Sequence, residues 1–304
     1  MLVYHKMSDI VNDVLKDEIL KRITHHESPK RTAFTSKYPV LKGPVIFLRC
    51  VLKQIQNKLD GGIKTKKSDN FYCHTITSHE AELRRTAPDI DLRLQENKIL
   101  NIKTAIERLN GMVIESGKTF SFWNMVGKPS YKNGYVDGRI YTASKVIAGV
   151  GGGLCQLSTF LYWLFLHAPV SITERHPHSV DVNPSSRHNP AARGGATVLY
   201  NFMDLKVTNG FEHPLQLKVW LVDSLLKGEI LSVHDIPEKI TVIEKNHCFV
   251  KKDGRVYQYN EIHKETRIDD RLLKTEKIAA NFTEVLYQLT DEHIEQNGFN
   301  VFSC

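Results

Sequence analysis

The feature that most constrains the fold is a run of thirteen residues, Leu154–Leu166, that is apolar on almost every side and directly follows three glycines. This run is shorter than the roughly 18 to 20 residues that a membrane-spanning helix needs. A helix that is apolar all round is a buried one, and Pro169 follows where such a helix must stop. The sequence therefore predicts a central buried helix with the rest of the fold packed around it.

The remaining segments show both helical and strand periodicity. Apolar residues recur at helical spacing in residues 9–26, 45–59 and 98–110. Alternating apolar and polar residues predict strands at 117–124, 170–173, 197–202 and 215–221, with loops and short strands over 127–150. In the tail, an Asp253-Gly254 turn between apolar stretches predicts hairpins. We expect an α+β fold, with mixed helices and antiparallel strands around the central helix and a small β-rich C-terminal part.

The charge distribution divides the chain into regions. Residues 1–70 hold 14 of the 41 Lys and Arg and 7 of the 34 Asp and Glu, which leaves 27 of each sign elsewhere. The first 70 residues therefore carry the whole net charge of +7. A turn at Asp60-Gly61-Gly62 and the polar run after it predict a linker. We expect a basic helical N-terminal region at 1–70, a core domain at 71–234 and a small β-rich region at 235–304.

The basic N-terminal region favours an acidic partner or an anionic surface, although a solvated basic face with no partner is the simpler alternative. Within it, the pattern of residues 45–59 predicts a basic amphipathic helix. Such a helix lies on a membrane surface or docks its apolar side on its own core. We expect at most a weak association with an anionic membrane surface and no specific nucleic-acid partner.

The five cysteines, an odd number at wide spacings with no C-x-x-C pair, do not form a disulfide framework. They fit a reducing compartment. The first residues lack the pattern of a signal peptide, and no apolar run reaches membrane-spanning length. The expected location is the cytoplasm, at most in association with the membrane.

Cys155 is the candidate for chemistry. A helix that begins near Leu154 places this thiol in the first turn, where free N–H groups and the helix dipole lower a thiol pKa. The same N–H groups can bind the oxyanion that forms when a thiolate attacks a carbonyl. The glycines allow a ligand to approach the backbone closely, and Gln156 offers a further donor. Gly152, Gly153 and Gln156 are therefore candidate substrate-binding residues.

A nucleophilic thiol needs a base, which in turn needs an orienting group. The segment His176-Pro177-His178 offers two imidazoles and follows a helix and a strand that return toward the start of that helix. Glu174 can share a strand face with His176 and orient it. Arg175 is a candidate for binding a carboxylate of a peptide substrate.

Two other interpretations of Cys155 stay open. A cysteine on an apolar helix is often inert packing. A zinc site built from Cys155, His176 and His178, with or without His188, is the second alternative, but the histidine spacing fits no common zinc pattern and a second thiolate is missing. The glycines are no phosphate loop, because no Lys-Ser/Thr pair follows them. We expect no metal and no cofactor.

Several motifs together resemble the VanW family, which is named for a gene found with B-type glycopeptide-resistance determinants. The matching motifs are Phe120-Ser121-Phe122-Trp123, the segment 151–158 with its Gly-Gly-Gly-Leu-Cys-Gln-Leu-Ser sequence, the segment 174–179 with its Glu-Arg-His-Pro-His-Ser sequence, Ala196-Thr197-Val198, and the segment 204–209. The resemblance extends from about residue 30 to the end of the chain.

The resemblance implies a role for several residues. Larger, membrane-anchored relatives have been linked to L,D-transpeptidation of peptidoglycan, with the motif cysteine as nucleophile. Carried over, this makes Cys155 the nucleophile and His178 the favoured base ahead of His176. Members of the family often have Asp directly before the Ala-Thr-Val motif, where this chain has Gly195.

The function expected from this resemblance is a cysteine-dependent acyl transferase, transpeptidase-like or amide-bond enzyme that acts on peptidoglycan-type peptides or precursors, linked to glycopeptide resistance. A non-catalytic accessory protein that binds such peptides or precursors is the alternative.

Overall fold

The computed structural model describes residues 17–24, 48, 51–52, 55, 65–84, 91–141, 146–178, 180–181, 195–287 and 300–303. Three helices are described from their first to their last residue: α1 (Leu92–Leu109), α2 (Phe122–Val126) and α3 (Leu154–Leu166). Residues 17–24, 48, 51–52 and 55 are also helical, inside the two helices predicted for the N-terminal region. In the described part of the chain, no helix is both long and apolar enough to cross a membrane.

In the part of the chain that the structure describes, fifteen strands accompany these helices. They are β1 (Thr65–Lys67), β2 (His74–Glu82), β3 (Met112–Ile114), β4 (Thr119–Ser121), β5 (Asp137–Tyr141), β6 (Val146–Val150), β7 (Val170–Glu174), β8 (Val180–Asp181), β9 (Lys206–Asn209), β10 (Leu215–Val222), β11 (Leu225–Ser232), β12 (Lys239–Lys252), β13 (Arg255–Ile268), β14 (Arg271–Val285) and β15 (Asn300–Ser303). The expected α+β class is confirmed.

The strands form three sheets and a hairpin. The orders are β1-β3-β10-β11-β2, β15-β12-β13-β14-β8 and β4-β9-β7, and β5 pairs with β6. The pairs β12–β15 and β14–β8 are parallel, and the other pairs are antiparallel. The predicted Asp253-Gly254 turn joins β12 to β13, with positive φ at both residues as such a turn requires.

α3 is the central buried helix that its composition predicts. Nine of its thirteen residues are buried, as expected for a helix that is apolar on every side. It packs against β11, where Gly228 makes room, since a Cβ there would lie 2.7 Å from carbon atoms of both Phe160 and Leu164. The core around α3 therefore joins the helix layer to the first sheet.

α1 covers one side of this core. Asp91 caps it, because the Asp91 side chain accepts a hydrogen bond from the Leu94 N–H at 3.1 Å. Its inward face carries apolar side chains together with Asn101, which is fully buried. The helix begins six residues before the start expected from its apolar spacing, since residues 92–97 contribute no buried apolar side chain.

Three predictions about secondary structure are wrong in part. Residues 122–124 are helical, because Ser121 caps α2 and buried Asp204 accepts the Trp123 N–H at 3.1 Å. Residues 65–67, placed in the linker, form β1 of the first sheet. Residues 197–202 form no ladder strand, and only an isolated bridge links Leu199 to Met203.

The C-terminal strands dock on the core. Ile262 of β13 is buried in the same apolar cluster as α3. The Nζ of Lys264, 7% exposed, donates to the carbonyl oxygens of Ala168 at 2.6 Å and Val170 at 3.2 Å, just beyond the end of α3. Lys264 thus places a cation next to the C-terminus of α3, where the helix dipole favours positive charge.

Candidate active site around Cys155

Cys155 lies in the first turn of α3, as the sequence predicts, with its thiol turned to the protein. The Sγ donates a hydrogen bond to the carbonyl oxygen of Val198 at 3.5 Å. Burial raises the pKa of the Cys155 thiol above its ordinary value. This direction is opposite to the lowering expected from the helix N-terminus, so the thiol in this conformation is protonated at neutral pH.

The glycine turn before Cys155 is explained by close backbone packing. A Cβ on Gly152 would lie 2.1 Å from the carbonyl carbon of Gly138 in β5. Gly153 has φ +105°, and a Cβ there would lie 2.3 Å from the Lys98 side chain. Asn101 stabilises the turn at Gly152, since its Nδ2 donates to the Gly152 carbonyl at 2.9 Å.

The first turn of α3 is mostly hydrogen-bonded within the chain. The amide of Leu154 donates to the Gly151 carbonyl at 3.3 Å. Those of Gln156 and Leu157 donate to the Gly153 carbonyl at 2.9 and 3.4 Å. The Cys155 amide makes no hydrogen bond with a described residue and is the one left for an oxyanion in this turn.

Residues 195–198, named here the 195–198 segment, run along the polar side of α3. Ser158 Oγ donates to the carbonyl of Ala196, and the Ala196 amide donates to Thr159 Oγ1 at 3.0 Å. On its other side, the Thr197 amide donates to the His176 carbonyl at 2.7 Å. The segment satisfies its backbone groups through these contacts, which explains why it is not a strand of a sheet.

His178 contacts the same segment. Its Nδ1 lies 2.7 Å from Thr197 Oγ1. A Cβ built on Gly195 would lie 2.3 Å from His178 Nε2 and 2.8 Å from Thr159 Oγ1. The Nε2 side of the ring therefore faces Gly195, close to the polar side of α3 that carries Cys155 one turn earlier.

Glu174 and His176 form a separate contact. Glu174 Oε1 lies 3.2 Å from His176 Nε2, accepts the Asp204 amide at 3.2 Å, and its Oε2 pairs with Lys206 Nζ at 3.3 Å. Glu174 thus contacts His176 as the sequence suggests. The thiol of Cys155 has neither histidine as its hydrogen-bond partner in the described residues.

Arg175 links the site to the C-terminal strands. Its Nε donates to the Gly195 carbonyl and its Nη1 to Asn281 Oδ1, each at 2.7 Å, and its guanidinium lies 5.0 Å from the ring centroid of Tyr162. Its Nη2 is buried and makes no hydrogen bond in the described part of the chain. Burial lowers the pKa of Arg175, which stays a cation.

Of the predicted residues, Cys155 and the glycines thus lie at the start of α3, and Arg175 and His178 contact the 195–198 segment. Glu174 and His176 form a separate pair. The sequence singles out Cys155, His178 and Arg175, and the family resemblance pairs Cys155 with His178, but it gives none of the contacts that hold them in place. It misses Asn101 and Thr197, whose roles arise from contacts between distant segments. A polar Asn on the apolar face of α1 is the one signal that points to Asn101.

A metal site finds no support in the described residues. No group of three or more His, Cys, Asp or Glu side chains there is placed to hold a metal ion. His188, one of the ligands considered from the sequence, lies outside the described residues.

Comparisons with known proteins match the part of the chain that holds this site. The family model described as "VanW like protein" matches residues 97–231. The vancomycin B-type resistance protein VanW of Enterococcus faecalis is 32% identical over 174 residues, which cover 57% of this chain and 63% of that protein. The uncharacterized protein YoaR of Bacillus subtilis is 29% identical over 118 residues, 39% of this chain and 37% of that protein.

The chain thus spans less than two thirds of the length of either relative. No solved structure matches it. The matched residues run from α1 to β11 and contain the glycine turn, Cys155, Arg175, His178 and the 195–198 segment. Through residues 97–231, the chain is thus similar to proteins of the VanW family.

Proposed function

We propose that this protein is a cysteine-dependent acyl-transfer or amide-bond enzyme that acts on peptidoglycan-type peptides or their precursors and contributes to resistance to vancomycin-type glycopeptides. Cys155 is its nucleophile and His178 its base. The enterococcal relative is named a vancomycin B-type resistance protein, which supports the biological setting.

One observation carries the proposal: Cys155 and His178 contact neighbouring residues of the same segment. The Cys155 thiol bonds to the Val198 carbonyl, and His178 Nδ1 lies against Thr197 Oγ1. Because burial raises the pKa of the thiol, Cys155 needs a nearby base before it can act as a nucleophile. His178 is the imidazole that borders both the 195–198 segment and α3.

The chemical step conserves atoms and electrons. The Cys155 S–H proton passes to His178 while the sulfur attacks the carbonyl carbon of a peptide bond. The C–N bond breaks, the leaving amine takes the proton from the imidazolium, and the acyl group stays on sulfur as a thioester. An amine or water then takes the acyl group and the thiol is restored. The Cys155 amide, which has no hydrogen-bond partner among the described residues, supports this step, since it can donate to the oxyanion.

Arg175 supports a substrate with a carboxylate. Its guanidinium is held by Gly195 and Asn281, and its remaining Nη2 has no hydrogen-bond partner in the described residues. A guanidinium group binds a carboxylate strongly. Peptidoglycan stem peptides end in carboxylates, so Arg175 is a suitable recognition residue for them.

The proposal is tested by wall analysis in cells. Cells that carry wild-type protein, Cys155→Ala or Cys155→Ser are grown under glycopeptide stress, and their wall peptides and precursors are compared. Both variants should lose the resistance and the wall-peptide change of the wild type. Cys73→Ala, which removes an exposed thiol, is the matched control and should behave as wild type.

A non-catalytic binding protein is the second candidate, and the protonated, hydrogen-bonded thiol favours it. In that case Cys155→Ser keeps peptide binding and the phenotype, because the hydroxyl can donate to the Val198 carbonyl as the thiol does. Loss of the phenotype in Cys155→Ser with peptide binding retained would contradict this candidate and support the enzyme.

We also propose that the protein works in the cytoplasm at the face of an anionic membrane, through its N-terminal region. Between Glu27 and Asp60 the sequence has seven Lys and Arg and no Asp or Glu. In the same stretch Leu48, Leu52 and Ile55 are exposed, by 57%, 55% and 47%. Apolar side chains next to cationic ones are typical of a helix on an anionic lipid surface.

A further inference from the structure

We infer that Thr197 is the positioning residue for His178: its hydroxyl accepts the Nδ1–H of the imidazole and leaves Nε2 as the atom that takes the proton from Cys155. This inference rests on the proposed function, because it assigns the orienting group of the base that the proposed reaction uses.

The first evidence is the contact itself. Thr197 Oγ1 and His178 Nδ1 are 2.7 Å apart, a short distance for a hydrogen bond. The Thr197 backbone is fixed independently, since its amide donates to the His176 carbonyl at 2.7 Å. A hydroxyl on a fixed backbone can hold one edge of a ring in place.

The second evidence comes from Gly195, which borders the other edge of the ring. A Cβ at residue 195 would lie 2.3 Å from His178 Nε2 and 2.4 Å from its Cδ2. The ring therefore occupies space that any side chain at residue 195 would need. Arg175 and Thr159 hold the backbone there, through the Gly195 carbonyl and the Ala196 amide. Gly195 thus keeps the ring where Thr197 can reach Nδ1.

The orientation determines which nitrogen can act. A neutral imidazole carries one N–H, and its other nitrogen is an acceptor. With the proton on Nδ1 and donated to Thr197, the lone pair is on Nε2, which faces Gly195 and α3. When Nε2 takes the thiol proton, the Nδ1–H bond to Thr197 is kept, so the ring need not turn during the reaction.

The tautomer of His178 tests this inference without any assay of activity. Nitrogen-15 NMR of the wild-type protein at a pH where His178 is neutral should show the proton on Nδ1. Thr197→Ser, which keeps the hydroxyl, should show the same. Thr197→Val, which keeps the shape, should shift the proton to Nε2, the form that an imidazole prefers in water. If the proton of His178 in the wild-type protein is on Nε2, the inference is wrong. This measurement uses the wild-type protein, so it does not depend on whether a variant folds.

The rate of Cys155 acylation by a peptide substrate gives the second readout. Thr197→Val should slow it by about tenfold or more, and Thr197→Ser should restore most of the rate. If Thr197→Val changes neither the acylation rate nor the tautomer, and Cys155→Ala still abolishes acylation, the inferred role of Thr197 is contradicted and the proposed function is not. Full activity in Cys155→Ala would instead contradict the proposed function.

Discussion

At Cys155, the position in the helix and the burial of the thiol act on its pKa in opposite directions. The first turn of α3 favours a thiolate, but three of the first amides already bond to the glycine turn. Burial and the bond to Val198 leave a protonated thiol. Under the proposed function, this protonated thiol is a resting state that a base has to activate.

This state predicts the labelling behaviour of the two thiols. At pH 7.5, iodoacetamide should label Cys155 at least about tenfold more slowly than the exposed Cys73. The raised pKa of Cys155 means that its rate keeps increasing with pH beyond the range of a free cysteine. Peptide mass mapping of a time course at several pH values measures both rates. Faster labelling of Cys155 than of Cys73 at pH 7.5 would contradict the resting state described here.

Gly152 gives a second prediction at the scale of one residue. Gly152→Ala should lower the free energy of unfolding by more than about 2 kcal/mol, because its Cβ would collide with the backbone of Gly138. Gly210→Ala is the control, since a Cβ there has no atom within 4 Å. Urea denaturation of both variants measures the effect. A Gly152→Ala protein as stable as the Gly210→Ala control would show that the turn relaxes easily.

The residues found from the sequence are those whose type alone indicates chemistry. Cys155 and His178 follow from motif and residue type, and the helix predicted to end at residue 110 does end there, with Asn110 as the C-cap of α1. Thr197 was predicted inside a strand, and the role that we infer for it depends on the path of the 195–198 segment along α3. Contacts between segments far apart in the chain cannot be derived from periodicity, because periodicity indicates only which face of a helix or strand is buried.

At the scale of elements, the question is whether the helix predicted over residues 45–59 packs on the core of the protein or on a membrane surface. The sequence leaves both open, since an amphipathic pattern fits either. The exposure of Leu48, Leu52 and Ile55 favours an outside partner.

A vesicle assay tests this proposal. Leu52→Glu should reduce sedimentation with phosphatidylglycerol vesicles by about tenfold, because it removes apolar area and adds a negative charge. Leu272→Glu, at an exposed leucine of β14, is the matched control and should bind as wild type. Equal binding of all three proteins, or equal binding to phosphatidylcholine vesicles, would contradict an anionic membrane partner.

The contact between β13 and the end of α3 predicts a dependence on pH. Burial lowers the pKa of Lys264 to about 8, so the unfolded chain binds more protons than the folded one between about pH 8 and 10.5. The stability of the wild type relative to Lys264→Met should therefore rise by up to about 3 kcal/mol across this range.

Urea denaturation of both proteins at pH 7 and pH 10.5 measures this difference. Lys239→Met, at an exposed lysine of β12, controls for the substitution. A difference between wild type and Lys264→Met that does not change with pH would show that Lys264 is not buried as a cation.

At the scale of the whole molecule, the C-terminal strands support the site. Arg175 joins the 195–198 segment to Asn281 of β14, and Lys264 of β13 bonds beyond the end of α3. The sequence predicts the strands and the Asp253-Gly254 turn from local patterns. It does not predict this docking, because a lysine in a strand of alternating pattern, such as Lys264, is expected to face solvent.

The central claim is that Cys155 forms an acyl intermediate with a peptidoglycan-type peptide. The most direct measurement is the intact mass of the full chain after incubation with such a peptide and rapid acid quenching. The account predicts a mass increase equal to the acyl group, located on Cys155, sensitive to hydroxylamine, absent in Cys155→Ala and much slower to form in His178→Ala. A peptide that binds to the wild type without any such adduct, with resistance retained in Cys155→Ala cells, would contradict it.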